Sequence, residues 1–310
     1  MQLQQLQFTM YYLLSNTKTQ NMKTRNMVIA CFLMFAIGSS YAQSDKDINI
    51  DKVYAVNKNG TLHLDSDDAD VSITGSDRSD VHVQIQRKVD EKGIVMGSRD
   101  FRIEISERDG DLYIKDFEEN GSITVVGYYS EQYKIDIELP KSMSLKIKGD
   151  DDDYKIANVN GEIRMDVDDG DAHLTNCRGN YFDFDFDDGD IEVDMAAGIL
   201  KLDIDDGDVE INNAAFTEIT ADIDDGDIYI KTSLDKDGQY TFYSDDGNID
   251  LGVLGGGGEF TIRHDDSSIS SSEEFERISK EDSKSVYRLS NGGAVVKMRC
   301  DDARIRLRAL

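Results

Sequence analysis

A four-residue turn, Asp-Asp-Gly-Asp, returns through the middle of the chain at nearly constant spacing. It stands in "VDDGDAHL" (167–174), "FDDGDIEV", "IDDGDVEI", "IDDGDIYI" and, with one change, "SDDGNIDL". Its glycines, Gly170, Gly189, Gly207, Gly226 and Gly247, are separated by 19, 18, 19 and 21 residues. A fixed period of this length marks a repeat architecture, in which each unit buries its apolar face only against its neighbours. Weaker copies extend the array: "GDDDDYKI" (149–156) one period earlier, "HDDSSISS" (264–271) one period later, and "SDDADVSI" (66–73) as a more distant relative.

On both sides of the turn the pattern alternates. In "LKLDIDDGDVEIN", Leu200, Leu202 and Ile204 alternate with Lys201, Asp203 and Asp205, and Val209 and Ile211 alternate with Asp208 and Glu210. A period of two means strands with one buried and one wet face. Glycine accepts positive φ in the turn, and Asp bonds its own nearby backbone. The spacing predicts an all-β fold, a β-solenoid of β-helix type with a period of 18–21 residues. The alternative is an antiparallel meander or β-sandwich, since Asp-Gly between alternating runs is also a hairpin signal and would set Ile204 against Val209. The solenoid is favoured because a meander leaves a broad apolar face that needs a second layer, whereas a coil folds that face inward.

Residues 43–148 are strands of the same body with longer loops, 149–271 the regular array, and 272–310 the C-terminal strands, read as a cap. A separate small β domain ending near Pro140 is the alternative for the first of these. In 270–281, "SSSEEFERISKE" is the one stretch that suggests a short helix. The last strand alternates Arg304, Arg306 and Arg308 with Ile305 and Leu307, giving it a basic outer face for capping or for docking a partner.

Residues 1–42 read as an upstream extension and a signal peptide. Lys23 and Arg25 precede the apolar run "MVIACFLMFAI", and small residues at Ser40 and Ala42 place cleavage after Ala42. The run is too short to span a membrane, and no second one follows. "VIAC" ending at Cys31 weakly resembles a lipoprotein box, ranked below simple export. Export to the periplasm, cell surface or exterior would permit Cys177 and Cys300 to pair. In a solenoid, however, they stand about six coils or on the order of 30 Å apart, beyond the ~7 Å reach of a bridge, unless the C-terminus folds back.

The net charge of −29 excludes nucleic acid as a partner and disfavours anionic membranes. Residues 150–250 alone hold 27 Asp and four Glu against six Lys and Arg. Such charge suggests disorder, but the alternating Val, Ile, Leu and Phe argue for strands.

The stretches "SDDADVSITGSDRSDVHVQI" (66–85) and "IELPKSMSLKIK" (137–148), with the Gly-Asp turns that follow, resemble the bacterial "putative adhesin" β-strand-repeat family. The resemblance covers most of the chain. It implies an exported, solenoid-like domain with no established catalytic residues. The chain departs from the family in Asp density, carrying Asp168, Asp187, Asp205 and Asp224 where Ser, Thr or Gly is usual.

Stacked turns would set carboxylates about 4.8 Å apart in columns, and that repulsion asks for a remedy in a fold worth about 5–15 kcal/mol. Ca²⁺ takes about 6–8 oxygen ligands, which makes Asp168, Asp169, Asp171, Asp187, Asp188, Asp190, Asp205, Asp206, Asp208, Asp224, Asp225 and Asp227 the candidate ligands. Against this, Asp suits turns for local hydrogen bonding, salt screens exposed pairs, and no EF-hand loop is present. No cofactor other than Ca²⁺ is indicated. The expected function is a non-enzymatic, adhesin-like or envelope-structural protein whose partner is a cell-surface protein or glycan. The alternative is a carbohydrate-active enzyme on a β-helix, disfavoured because the chain has no Trp for a sugar platform and its four histidines are scattered.

Overall fold

The computed structural model describes residues 41–310 except 45–46, 98–99, 119–123, 266 and 291. The signal segment therefore lies outside the described residues apart from Tyr41 and Ala42. These open a strand, Tyr41–Ser44, antiparallel to Phe101–Arg108.

Each Asp-Asp-Gly-Asp turn passes the chain from one parallel sheet to another. In the first sheet, Ile163–Asp169, Tyr181–Asp188, Ala197–Asp206, the second half of Val209–Asp225 and the first half of Gln239–Gly255 lie side by side in parallel register. In the second sheet, Asp153–Ala157, Ala172–Thr175, Ile191–Asp194, the first half of Val209–Asp225 and Ile228–Ser233 do the same. Ile204 neighbours Phe186 and Ile223, not Val209, so the turn joins two sheets and forms no hairpin. This is the solenoid that the period predicts.

The inward residues stack in ladders. Val167, Phe186, Ile204 and Ile223 form one in the first sheet, and Ala172, Ile191, Val209, Ile228, Ile249 and Ile305 another in the second. All are at most 2% exposed. Each large side chain buried this way contributes about 1.5–3 kcal/mol, and repetition of equivalent residues lets the ladder close without voids.

Glycine is fixed at the turn by more than its φ. From Gly170 to Gly247 the five φ values run from +134° to +150°. A Cβ on Gly189, Gly207, Gly226 or Gly247 would lie 2.0–2.1 Å from the carbonyl oxygen of the preceding turn's glycine. The backbones of successive coils touch there, and any side chain would push them apart.

The ends depart from chain order. Thr61–Ser66 and Asp70–Ser76 form a rung between Asp111–Glu118 with 134–140 on one side, and Ser144–Gly149 with Asp153–Ala157 on the other. At the far end, the terminal strand Ala294–Ala309 lies between Gln239–Gly255 and the pair Gly258–His264 and Ser268–Ser271, parallel to all three. It is an internal rung and not a cap, because Val296, Met298, Cys300, Ile305 and Leu307 on its inner face are all at most 2% exposed. The first sheet ends instead in an antiparallel hairpin of Phe275–Lys280 and Lys284–Leu289 on Gly258–His264.

The short helix suggested for 270–281 is absent: the segment forms parts of Ser268–Ser271 and Phe275–Lys280. A helix there would have left the edge of Lys284–Leu289 unpaired, whereas the strand pairs it and seats Phe275 edge-on against Phe260 at 5.1 Å. Residues 40–310 form one unit, including the strands on both sides of Pro140. No helix among the described residues is long and apolar enough to cross a membrane.

Candidate cation site on an acidic ridge

The turns stack into a ridge of carboxylates whose columns have different jobs. Asp169, Asp188, Asp206 and Asp225 pair in direct register, with Asp246 next in line. Asp168, Asp187, Asp205 and Asp224 precede them, all exposed. Partial loss of water and then the neighbouring Asp188 and Asp151 carboxylates raise the pKa of Asp169. The same desolvation, with Asp205 and Asp245, raises that of Asp224.

The column after the glycine is bonded into the fold. The backbone N–H of Asp190 donates to Asp171 Oδ1 at 3.0 Å, that of Asp208 to Asp190 Oδ1 at 2.9 Å, and that of Asp227 to Asp208 Oδ1 at 2.8 Å. Asn248 closes the series, giving Asp227 Oδ1 its backbone N–H at 2.8 Å and its amide at 2.7 Å. Desolvation opposes ionisation of Asp227, but the Tyr229 hydroxyl and the Asn248 donors outweigh it and lower its pKa. Asp is required here because its short side chain reaches one rung and no further. Asp171, Asp190, Asp208 and Asp227 thus act first as links between coils.

One group of carboxylates among the described residues converges tightly enough for a shared cation: Asp150, Asp151 and Asp169, with an oxygen from each all within 4.8 Å of one another. Of the twelve candidates from the turns, only Asp169 belongs to it. Asp150 and Asp151 come from the weak copy "GDDDDYKI", in which Asp152 stands where later coils have glycine. Asp152 is fully buried, and its carboxylate accepts the Ala69 N–H at 2.6 Å, the Ser66 hydroxyl at 3.0 Å and the Tyr154 hydroxyl at 2.9 Å. Burial pushes Asp152 up to about 6. Nearby Asp116, also buried, is pushed up to about 7 by desolvation, with the Asp152 and Asp67 carboxylates adding to it.

Other chemistry-bearing groups are dispersed or neutralised. Arg306 and Arg308 of the final strand both bind Asp250, at 3.3 and 2.7 Å, so these two cations of its basic face are matched within the molecule. Cys177 and Cys300 are free and buried. Burial raises both thiols, Cys300 to about 12, which keeps them protonated and unreactive. His173 bonds Glu192 on the next rung at 2.9 Å, while His82 bonds Asp51 at 2.7 Å in a different part of the chain.

A parallel two-sheet β-solenoid with an acidic ridge is therefore the class of protein this geometry defines. The chain belongs to the Toastrack family DUF4097, whose family model matches residues 59–308. Among solved structures it is similar to a putative cell adhesion protein from Clostridium sporogenes, at 10% identity and TM-score 0.29, covering 85% of this chain and 100% of that one. It is also similar to a putative lipid binding protein from Parabacteroides distasonis, at 11% identity and TM-score 0.31, covering 87% and 98%. A putative adhesin from Parabacteroides merdae matches at 11% identity and TM-score 0.25, covering 87% and 97%. No curated protein matches the chain.

Proposed function

We propose that this chain is an exported, non-enzymatic scaffold of the cell envelope or cell surface, adhesin-like in role, whose acidic ridge is held together by Ca²⁺. The observation that carries the reading is the convergence of Asp150, Asp151 and Asp169 at the head of an unbroken carboxylate ridge. Two adjacent coils there supply oxygen ligands that a divalent ion can share. Similar solved structures described as a putative cell adhesion protein and a putative adhesin support a surface role, and the partner would be a cell-surface protein or glycan.

Thermal unfolding of the purified chain in EDTA, in millimolar Ca²⁺ and in millimolar Mg²⁺ tests this. A ligand that binds only the folded state stabilises by about 2.7 kcal/mol at a hundred times its Kd, so a Ca²⁺-specific rise of several degrees is expected. Asp151→Asn with Asp169→Asn should remove most of that rise. Equal melting curves in EDTA and Ca²⁺ would leave the ridge as a solvated acidic scaffold.

A further inference from the structure

The corner of the coil away from the acidic ridge breaks the repeat at two rungs, and a cleft opens there. Successive coils turn this corner at 158–160, 176–178, 195–197 and 213–215, each beginning with a residue of φ between +53° and +60°. The third position is alanine in the last two coils, Ala197 and Ala215, but Asn160 and Arg178 in the first two. Left-handed backbone accounts for Asn158 and Asn176. It asks nothing of Asn160 or Arg178.

These two rungs, with Ser76 and Lys141 from the adjoining chain, line a cleft of about 480 Å³. Gly75 lets that chain close on it, since a Cβ there would lie 2.2 Å from the Asn158 carbonyl oxygen. Backbone bonds fix the walls: the Lys141 N–H donates to the Ser76 carbonyl at 2.9 Å, the Asn160 N–H to the Lys141 carbonyl at 2.6 Å, and the Arg178 N–H to the Val159 carbonyl at 3.1 Å. Every side chain that lines the cleft is polar. The Asn176 amide donates to Asn158 Oδ1 at 2.7 Å, while among the described residues the Asn160 amide and the Arg178 guanidinium have no partner. Lys141 meets Asp77 at 2.7 Å with both side chains more than half exposed, and such a pair opens readily to a competing anion.

The nearby acids are engaged elsewhere. Arg78 holds Asp80 and Glu138 at 2.7 and 3.1 Å, and Asp194 on the next rung accepts from Asn213 at 3.0 Å, on the side away from the cleft. The ridge stands one strand off: the four residues of Ala172–Thr175 span about 13 Å, beyond the ~8 Å Debye length of physiological salt.

We propose that this cleft binds a hexuronate unit of an acidic glycan. Arg178 takes the sugar carboxylate in a bidentate pair, and Lys141 adds a second positive charge. The amides of Asn158, Asn160 and Asn176 and the Ser76 hydroxyl, each able to donate and accept, meet the ring hydroxyls. The cleft lies within the roughly 300–1,000 Å³ of small-ligand sites, more than an inorganic ion fills. It offers no apolar pocket for the buried aromatic anchors of a protein partner. Recognition by guanidinium and amides also needs no Trp platform, which the chain lacks. The proposal rests on the envelope reading for a glycan as partner, and Ca²⁺ at the ridge has no part in it.

Isothermal titration calorimetry in EDTA is the test, using tetrasaccharides of galacturonate, glucuronate and mannuronate. A galactose tetrasaccharide, tetraglutamate and inorganic phosphate are the comparison ligands, and circular dichroism verifies that each variant is folded. At least one uronate should bind with a Kd below about 1 mM. Arg178→Ala should weaken that binding more than about tenfold, Arg178→Lys should weaken it less, and Asp205→Ala on the ridge should leave it unchanged. No uronate binding at about 10 mM, equal affinity for galactose tetrasaccharide or tetraglutamate, binding of phosphate alone, or a folded Arg178→Ala chain that binds as wild type would each overturn the proposal. In the last case a glycan partner stands and only its place falls. Because EDTA removes Ca²⁺, a failure of the ridge to bind metal leaves these outcomes untouched.

Discussion

The regular turns and the two irregular ones at the head of the array differ at a single apical position. Where the apex is glycine, coils touch backbone to backbone and the flanking carboxylates point into water. Where it is Asp152, stacked on Ala69 in the rung before, the side chain turns into the molecule and is met there by three donors. The same Asp-rich sequence is thus solvated surface in one place and a buried polar network in the other. Position in the coil, not residue type, sets the cost of each charge.

Substituting the apex should produce the largest effect. Gly207→Ala places a Cβ 2.1 Å from the Gly189 carbonyl oxygen at a φ of +150°. It should cost about 3–4 kcal/mol by denaturant unfolding, in the range reserved for overpacking with backbone strain. Asp152→Gly, which regularises the irregular turn, strands Ser66 and Tyr154 and should cost less, about 1–3 kcal/mol.

The buried network sets the larger part of the response to pH. Asp116 is raised from 3.8 to about 7 in the folded state. A raised folded pKa contributes stability that is fully present below the unfolded value of 3.8 and is lost as pH rises through about 7. Asp152, raised to about 6, adds in the same direction. The chain should therefore melt at a lower temperature at pH 8 than at pH 5, the reverse of ordinary acid denaturation. Asp116→Asn should flatten that slope by about 2 kcal/mol.

Smallest are the differences within the ridge. Asp208→Ala removes the acceptor for the Asp227 N–H and should cost about 1 kcal/mol. Asp205→Ala, three residues earlier, removes only an exposed charge and should move the melting temperature by no more than about 2 °C. Equal effects of the two would mean that the link from coil to coil is not what holds Asp after the glycine.

Much of the coil was legible before folding. Gly170 to Gly247 announce the period, and alternation around Leu202 and Val209 assigns the inner faces. The second corner was not. Asn158, Asn176 and Asn213 turn there with φ between +53° and +60°, but Met195 takes the same φ of +58° on the rung between, so no repeated motif signals it. The Asp150, Asp151 and Asp169 group was hidden for a related reason. Two of its members sit in a turn whose apex departs from the pattern, and only stacking shows that the third is their neighbour. Asp116 looks like any acidic residue in "YIKDFEE", and its burial follows from its place just past the Asp65–Lys115 pair, where the Asp67 N–H reaches its carboxylate.

The sequence by itself determined the unit: a strand, a glycine turn, a second strand, and a period that makes the units stack. These depend on local sterics and on side chains two residues apart, which a chain carries wherever it goes. The tertiary structure decided the order of the rungs. The terminal strand enters beside Gln239–Gly255 ahead of strands that precede it in the chain, and Thr61–Ser66 lies between two later strands. Parallel strand edges present the same N–H and C=O groups to any comer, so local sequence does not distinguish one rung's partner from another's. The choice falls to long-range packing: which inner faces fill the core, and which outer charges then find themselves side by side.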